Sequence, residues 1–189
     1  MGRWEPDARG RLEQAAVELF AERGFEQATV ADIAARAGLT ERTFFRHYAD
    51  KREVLFSGAS VLQDRLVTTL AAAPPALSPL AAVGVALEAA AELLQQRHDF
   101  AGIRHAVIAS HPELRSRELM KLALLSTALA DTLRARGVAE PAASLTAEAG
   151  IAAFKVAFET WINDATDAHD LQHHVSECFD QLKAVTAGR

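Results

Sequence analysis

Apolar residues recur every three to four positions along nearly the whole chain, the period of helices packed on one side. Leu12, Ala16, Leu19 and Phe20 predict a first helix from about Ala8 to Arg23, ended by Gly24. Val30, Ile33, Ala34 and Ala37 fall at i, i+3, i+4 and i+7, giving a second short helix one apolar face. Thr29 and Asp32 are spaced for a capping box at its start, and Gly38 ends it. Thr40 is placed to cap a third helix, on which Phe44 and Tyr48 lie one turn apart. Asp50 and Glu53 form another capping pair around Lys51, predicting a fourth helix to about Ala73, roughly 30 Å long, stopped by Pro74 and Pro75. Further helices are predicted near 79–97, 99–110, 113–137, 144–165 and 170–186. Pro112 and Glu113 suit a first turn, and Arg134 and Arg136 suit the negative end of the helix that Gly137 closes. No alternating Val/Ile/Thr run predicts a strand. The expected fold is all-α with about nine helices: a three-helix head over 1–56, whose linker helix begins at 51, and a helical body over 57–189.

Two short helices joined by a Gly-containing turn match the helix-turn-helix pattern, although such hairpins also occur in plain bundles. In that motif the second helix enters the major groove with its first residues against base edges. Those residues are Thr40, Glu41, Arg42 and Thr43. Arg42 has the fork for guanine O6 and N7, and Glu41 accepts from a cytosine amino group. Phe45, Arg46, His47 and Lys51 then flank the DNA backbone. Arg3, Arg9 and Arg11 are either contacts to an adjacent phosphate strand or solvated residues of an arm.

The string Gly24-Phe25, Thr29-Val30, Asp32-Ile33-Ala34, Ala37-Gly38-Leu39-Thr40, Thr43-Phe44-Phe45, His47-Tyr48 and Lys51 closely resembles the DNA-binding domain of the TetR (tetracycline-repressor) family. The resemblance covers about residues 9 to 56. It implies a homodimeric transcriptional regulator, a repressor whose body binds a small molecule and resets the spacing of two heads on a palindromic double-stranded operator. It implies phosphate contacts from Thr29 and Ala31, base contacts from Thr40, Glu41 and Arg42, and backbone contacts from His47 and Lys51. Phe45 stands where the family usually has Tyr, so a hydroxyl contact to phosphate is lost. Arg42 replaces a commoner small residue, so its base contact rests on its chemistry. The fourth helix is implied to be the lever between head and body.

Charge narrows the picture. A net charge of −5 and a pI near 5.8 argue against indiscriminate nucleic-acid coating. Between Arg42 and Arg52, however, Arg42, Arg46, Lys51 and Arg52 face one acid, Asp50. Leu66 to Leu87 carries no charge, but Pro74, Pro75 and Pro79 break it, so a helix end, a loop and a helix start are expected instead of a membrane span. The N-terminus shows no apolar signal segment, and a cytoplasmic protein is expected. A single cysteine, Cys178, excludes an internal disulfide.

In the body, Phe100, Arg104, His105 and Ile108, with Phe158 and Trp161, mix apolar lining with polar handles and are the expected ligand residues. The alternative for this group is ordinary core, with Arg104 paired to a Glu. The stretch from Arg104 to His111-Pro112-Glu113-Leu114-Arg115 also resembles a regulatory-domain pattern of one actinobacterial-type subgroup of the family. Ile151, Phe154, Phe158, Trp161 and Ile162 line one late stripe, and Leu171, Val175, Cys178, Phe179 and Leu182 another. Following the family, Ile151, Phe154, Phe158, Val175, Phe179 and Leu182 are expected at the dimer interface; the alternative is that the stripes pack on each other. His98, His105, His111, His169, His173 and His174 have no accompanying ligand at a recognised spacing, so neither metal nor cofactor is expected. No phosphate loop, nucleophile elbow or HExxH string occurs, and the chain is not expected to be an enzyme. The rival reading is a helical small-molecule-binding or enzymatic domain with a vestigial DNA-binding head.

Overall fold

The computed structural model describes residues 7–164 and 169–187. Arg3, left open as a phosphate contact or a solvated arm residue, lies outside them. Among the described residues there are ten helices and no strand: α1 (Ala8–Arg23), α2 (Val30–Arg36), α3 (Glu41–His47), α4 (Lys51–Val54), α5 (Ala59–Ala72), α6 (Pro79–Gln95), α7 (His98–Ala109), α8 (Pro112–Ala135), α9 (Ala142–Asn163) and α10 (Leu171–Thr186). The tenth arises because the expected fourth helix is broken. Val54, Leu55, Phe56 and Ser57 are all buried, and four consecutive inward residues do not fit one face of an α-helix. The chain tightens instead, with the N–H groups of Leu55, Phe56 and Ser57 donating to the carbonyls of Arg52, Glu53 and Val54.

The helices form two compact units, one of residues up to Gly58 with Asp99–Glu118, the other of Ala59–His98 with Leu119 onward. The first unit therefore contains the expected head plus a returning segment, nearly all of α7 and the start of α8. Its core joins Leu12, Leu19 and Phe20 of α1 to Phe25, Ile33, Phe44 and Val54, and is completed by Val107, Ile108 and Leu114 from the returning segment.

In the second unit α6 presents Ala82, Ala86, Ala90 and Ala91, all fully buried, so neighbouring backbones come close. Gly150 of α9 shows how close: a Cβ there would sit 2.5 Å from Val83 Cγ1. The stripe expected to meet a second copy is largely used inside this unit. Ile151, Phe154, Val175 and Phe179 are all buried, with Phe179 against Gly84 of α6. Phe158 and Leu182 are half-buried. The physical reason is that α9 and α10 pack on α6 as well as on each other, so their most apolar faces point inward. Arg136 does not serve the end of its own helix. It donates to the carbonyls of Leu70, Ala71, Ala73 and Pro74 at the end of α5, while Arg134 pairs with Asp131 and Glu140. The uncharged run from Leu66 to Leu87 is the end of α5, a turn and most of α6, and no described helix is long and apolar enough to cross a membrane.

Candidate DNA-binding surface

Local chemistry fixes the helix-turn-helix. The Thr29 hydroxyl accepts from the Asp32 N–H at 3.1 Å and the Asp32 carboxylate accepts from the Thr29 N–H at 3.1 Å, a complete capping box. The Thr29 hydroxyl also donates to Asp32 at 2.6 Å; these bonds hold the Asp32 carboxyl below its usual pKa. At the other end of α2, Gly38 takes φ +67°, a left-handed conformation costly for any residue with a Cβ. The Gly38 N–H then donates to Ala35 and the Leu39 N–H to Ala34, the paired bonds of a Schellman turn. Thr40 caps α3 through the Thr43 N–H at 3.2 Å. The capping pair expected at α4 is half made: Asp50 accepts from the N–H groups of Arg52 and Glu53, but the Glu53 side chain binds Arg117.

Phe44 and Tyr48 pin α3 from below, 5.5 Å apart between ring centres. The Tyr48 hydroxyl donates to Glu13 Oε1 at 3.0 Å and accepts from Arg9 Nε at 3.3 Å. Burial, reinforced by the Glu13 charge, pushes the phenol up to about 12. Arg9 also donates to the Ser57 carbonyl at 2.6 Å, so it is structural where the sequence left open a phosphate contact.

The outer face of α3 is the reverse of this pinned side. Glu41, Arg42, Phe45, Arg46 and His47 are exposed, and Thr43 is half-buried. Arg42, Phe45 and Arg46 share a face by their spacing, and Phe45 is 55% exposed, an unusual amount for a large aromatic ring. Neither Arg42 nor Arg46 has an ion pair or hydrogen bond among the described residues. Several other arginines of this unit are held, Arg36 by Glu18 and Glu22, Arg23 by Asp32 and Arg52 by Asp50, whereas Arg115 on α8 is exposed and, like Arg42 and Arg46, has no such partner among the described residues. On α3 the two arginines Arg42 and Arg46 are left uncompensated around an exposed ring. Thr29, Ala31 and Thr40 are exposed as well.

Lys51 is placed differently from a freely reaching backbone contact. Its Nζ donates to the carbonyls of Phe25, Glu26 and Ala28 at 2.7, 3.2 and 3.1 Å, and lies 4.5 Å from the Phe25 ring centre. An ammonium has three donors, and all three are used on the turn that delivers the chain to Thr29. The signal was absent from the sequence because the partners are backbone atoms more than 20 residues away.

The expected ligand residues divide between the units. Phe100, Arg104, His105 and Ile108 belong to the first, Phe158 and Trp161 to the second. Ile108 is fully buried core, and Phe100 packs against the same cluster. Arg104 Nε donates to the Leu55 carbonyl at 2.6 Å and Nη1 to Glu118 at 2.9 Å, so it is the Glu-paired residue of the alternative reading. Burial lowers its pKa from the ordinary arginine value, with Glu118 opposing. Arg104 and Arg117 place their guanidinium carbons 5.3 and 5.6 Å from the Phe56 ring centre. Among the described residues no three His, Cys, Asp or Glu side chains are placed to hold a metal. Burial raises the Cys178 thiol, the opposite of an activated thiolate.

A capped helix pair presenting α3 outward on an all-helical scaffold is the architecture of a helix-turn-helix head. The chain belongs to the tetR family of bacterial regulatory proteins: residues 13–57 match that family, and residues 77–187 match the MftR C-terminal domain. Among curated proteins it is similar to the HTH-type transcriptional regulator TcmR of Streptomyces glaucescens, 37% identical over 81 residues. That stretch is 43% of this chain and 36% of TcmR. Among solved structures it resembles Thermus thermophilus FadR, a TetR-family transcriptional repressor in complex with lauroyl-CoA, at 23% identity, TM-score 0.57 and 93% coverage of both chains. It also resembles the fatty acid degradation regulator FadR from Bacillus halodurans at 19% identity and TM-score 0.63, covering 92% of this chain and 96% of that one.

Proposed function

We propose that the chain is a cytoplasmic repressor that binds a palindromic operator as a homodimer and lets go when a small molecule enters its helical body. The observation that carries the DNA contact is the face of α3, where Arg42 and Arg46 are exposed and unpaired around Phe45. Arg42 and Glu41, with Thr40, read base edges; Arg46, His47, Thr29 and Ala31 meet phosphates; Phe45 lies against apolar base surface such as a thymine methyl. Lys51 contributes by holding the turn before Thr29.

The dimer uses the outward face of α9, because the inward stripe is occupied. Leu145 is 66% and Val156 56% exposed, and Ala152 lies between them on the same helix. A two-fold axis there serves operator recognition, since paired recognition helices match half-sites about 34–36 Å apart or a multiple of that spacing. Release by effector follows if ligand and operator prefer different arrangements of the two heads, and the coupling then acts equally in both directions.

The test is a gel shift with the intergenic DNA upstream of its own gene, at low and high salt. A shift that weakens steeply with salt and is lost in Arg42→Ala is expected. No shift at any salt would sink the proposal. Leu145→Glu/Val156→Glu is expected to sediment as a monomer and to lose operator binding together.

A further inference from the structure

Three helix ends converge at one corner of the second unit: the end of α6, the end of α9 and the start of α10. Gln95 Oε1 accepts from the Leu171 N–H at 2.9 Å, joining α6 to α10. The rings of His98 and Trp161 are 4.6 Å apart, edge to face, and Phe158 is 5.7 Å from Trp161. Asp164, one turn beyond Trp161, places Oδ2 3.8 Å from His174 Nε2.

The corner is polar in an uncommon way. Trp161 is 1% exposed and His174 6% exposed, yet Trp161 Nε1 and His174 Nε2 are both buried without a hydrogen-bond partner. The Asp164 oxygen at 3.8 Å is too far to be one. A buried donor left unmade costs about 1–3 kcal/mol, so two within one corner call for an explanation. The indole N–H is donor only, so whatever satisfies it carries an acceptor. Imidazole Nε2 donates or accepts according to tautomer, so the same oxygen or a neighbouring polar atom suits it. The Asp164 carboxylate beside His174 opposes a second negative charge. Phe158 sets an apolar ring beside Trp161, and Leu171 and Val175, both fully buried, flank His174 along α10.

We infer that this corner is the polar end of the effector site, and that the effector is an uncharged carbonyl compound with an apolar body: a ketone, quinone, lactone or ester, not a carboxylate. Its carbonyl oxygen accepts from Trp161 Nε1, with His174 Nε2 as the second partner. The inference rests on the proposed effector-released repressor and names the class of its ligand.

The chain has two tryptophans, so Trp4→Phe leaves Trp161 as the one indole to observe by nitrogen-15 NMR in the full-length protein. The probes are 2-nonanone, nonanoate and nonanol-free nonane, which share an apolar body and differ at the head. The free protein is expected to show an indole proton at an unbonded position. Adding 2-nonanone is expected to move it downfield, with nonanoate and nonane at least about tenfold weaker. Trp161→Phe keeps an aromatic ring and removes the donor, at the cost of a small cavity; it is expected to weaken 2-nonanone about tenfold, as is His174→Phe, while leaving nonane binding no weaker. An indole already bonded in the free protein means a buried water only, and overturns the inference. So does equal binding of all three probes, or an indole proton that 2-nonanone leaves unmoved. Operator binding is measured separately by gel shift. A protein that shifts DNA but ignores 2-nonanone refutes this site and leaves the repressor standing, whereas failure to bind DNA refutes the repressor whatever the indole does.

Discussion

Replacing Arg104 with Met removes a guanidinium but keeps the length and apolar stem of the side chain. Three contacts go: the bond to the Leu55 carbonyl at 2.6 Å, the bond to Glu118 at 2.9 Å, and the approach to the Phe56 ring. Breaking a buried ion pair from one side costs about 3–5 kcal/mol when the remaining charge is stranded. Here Arg104 and Glu118 keep 21% and 28% of their side-chain surface, so water reaches the orphaned carboxylate and relieves part of that cost. The Leu55 carbonyl loses a charged donor, about 1–3 kcal/mol if nothing replaces it. Together these give an expected loss of about 2–4 kcal/mol from the first unit. Glu118→Gln in the same chain removes the stranded charge and is expected to restore about 1–2 kcal/mol, a coupling that a double-mutant cycle measures. Hydrogen exchange read by peptide is the assay, because a single unfolding midpoint is ill-defined for a chain of two units. Faster exchange is expected over residues 8–58 and 99–118, with α9 and α10 unchanged. If protection falls uniformly along the chain, or Glu118→Gln restores nothing, the reading of Arg104 as the tie between the returning segment and the head is wrong.

Other substitutions separate roles that charge alone confounds. Arg42→Ala is expected to cost about 1–3 kcal/mol on the cognate operator and to relax preference at one base pair, checked by titrating single-base operator variants. Lys51→Met is expected to lower the stability of the first unit by about 1.5–3 kcal/mol, read by hydrogen exchange over residues 8–58, yet leave the salt slope of DNA binding unchanged, because the ammonium is spent on three carbonyls; a slope flatter by about one would show a phosphate contact instead. Gly150→Ala forces a Cβ into Val83 Cγ1 at 2.5 Å and is expected to destabilise the second unit by about 1–3 kcal/mol, read by hydrogen exchange over α6 and α9, with Val83→Ala recovering part of it. The single tyrosine, Tyr48, gives a pH test by ultraviolet absorbance: it is expected to titrate near about 12 in the folded protein and near 10 in denaturant. Because the folded value is the higher, the stability it contributes is full below pH 10 and is lost as pH rises towards 12, and Tyr48→Phe is expected to remove that dependence.

What could be read from the sequence was what is decided locally. Thr29 with Asp32, Thr40 with Thr43, and Gly38 at φ +67° all satisfy backbone groups within three or four residues, so spacing specifies them. The boundaries of the later helices were equally legible, since periodicity, Pro and Gly mark them. Periodicity also says which face is buried, but not against what. Ile151, Phe154, Val175 and Phe179 formed correct apolar stripes, and only the packing of α9 and α10 on α6 reveals that the unit itself consumes them.

The charged residues were the least legible, and for one physical reason. A long cationic side chain reaches any acceptor within several ångströms of its Cα, and the fold brings such acceptors from far along the chain. Arg104 finds Leu55, 49 residues away, and Arg136 finds Leu70, 66 residues away. Lys51 and Arg9 are likewise drawn into the scaffold. Lys51, Arg9 and Arg104 looked available for phosphate or ligand in one dimension and Arg136 for the end of its own helix, and each is used to tie backbone carbonyls that helix ends and turns leave unsatisfied. The consequence for function is a process of elimination that the sequence does not permit. Once the arginines and the lysine committed to the scaffold are set aside, Arg42 and Arg46 stand out on α3 as exposed cations with no intramolecular partner among the described residues. In an acidic chain the proposed DNA face therefore rests on where cations are left free, two of them one turn apart on α3, and not on how many the chain carries.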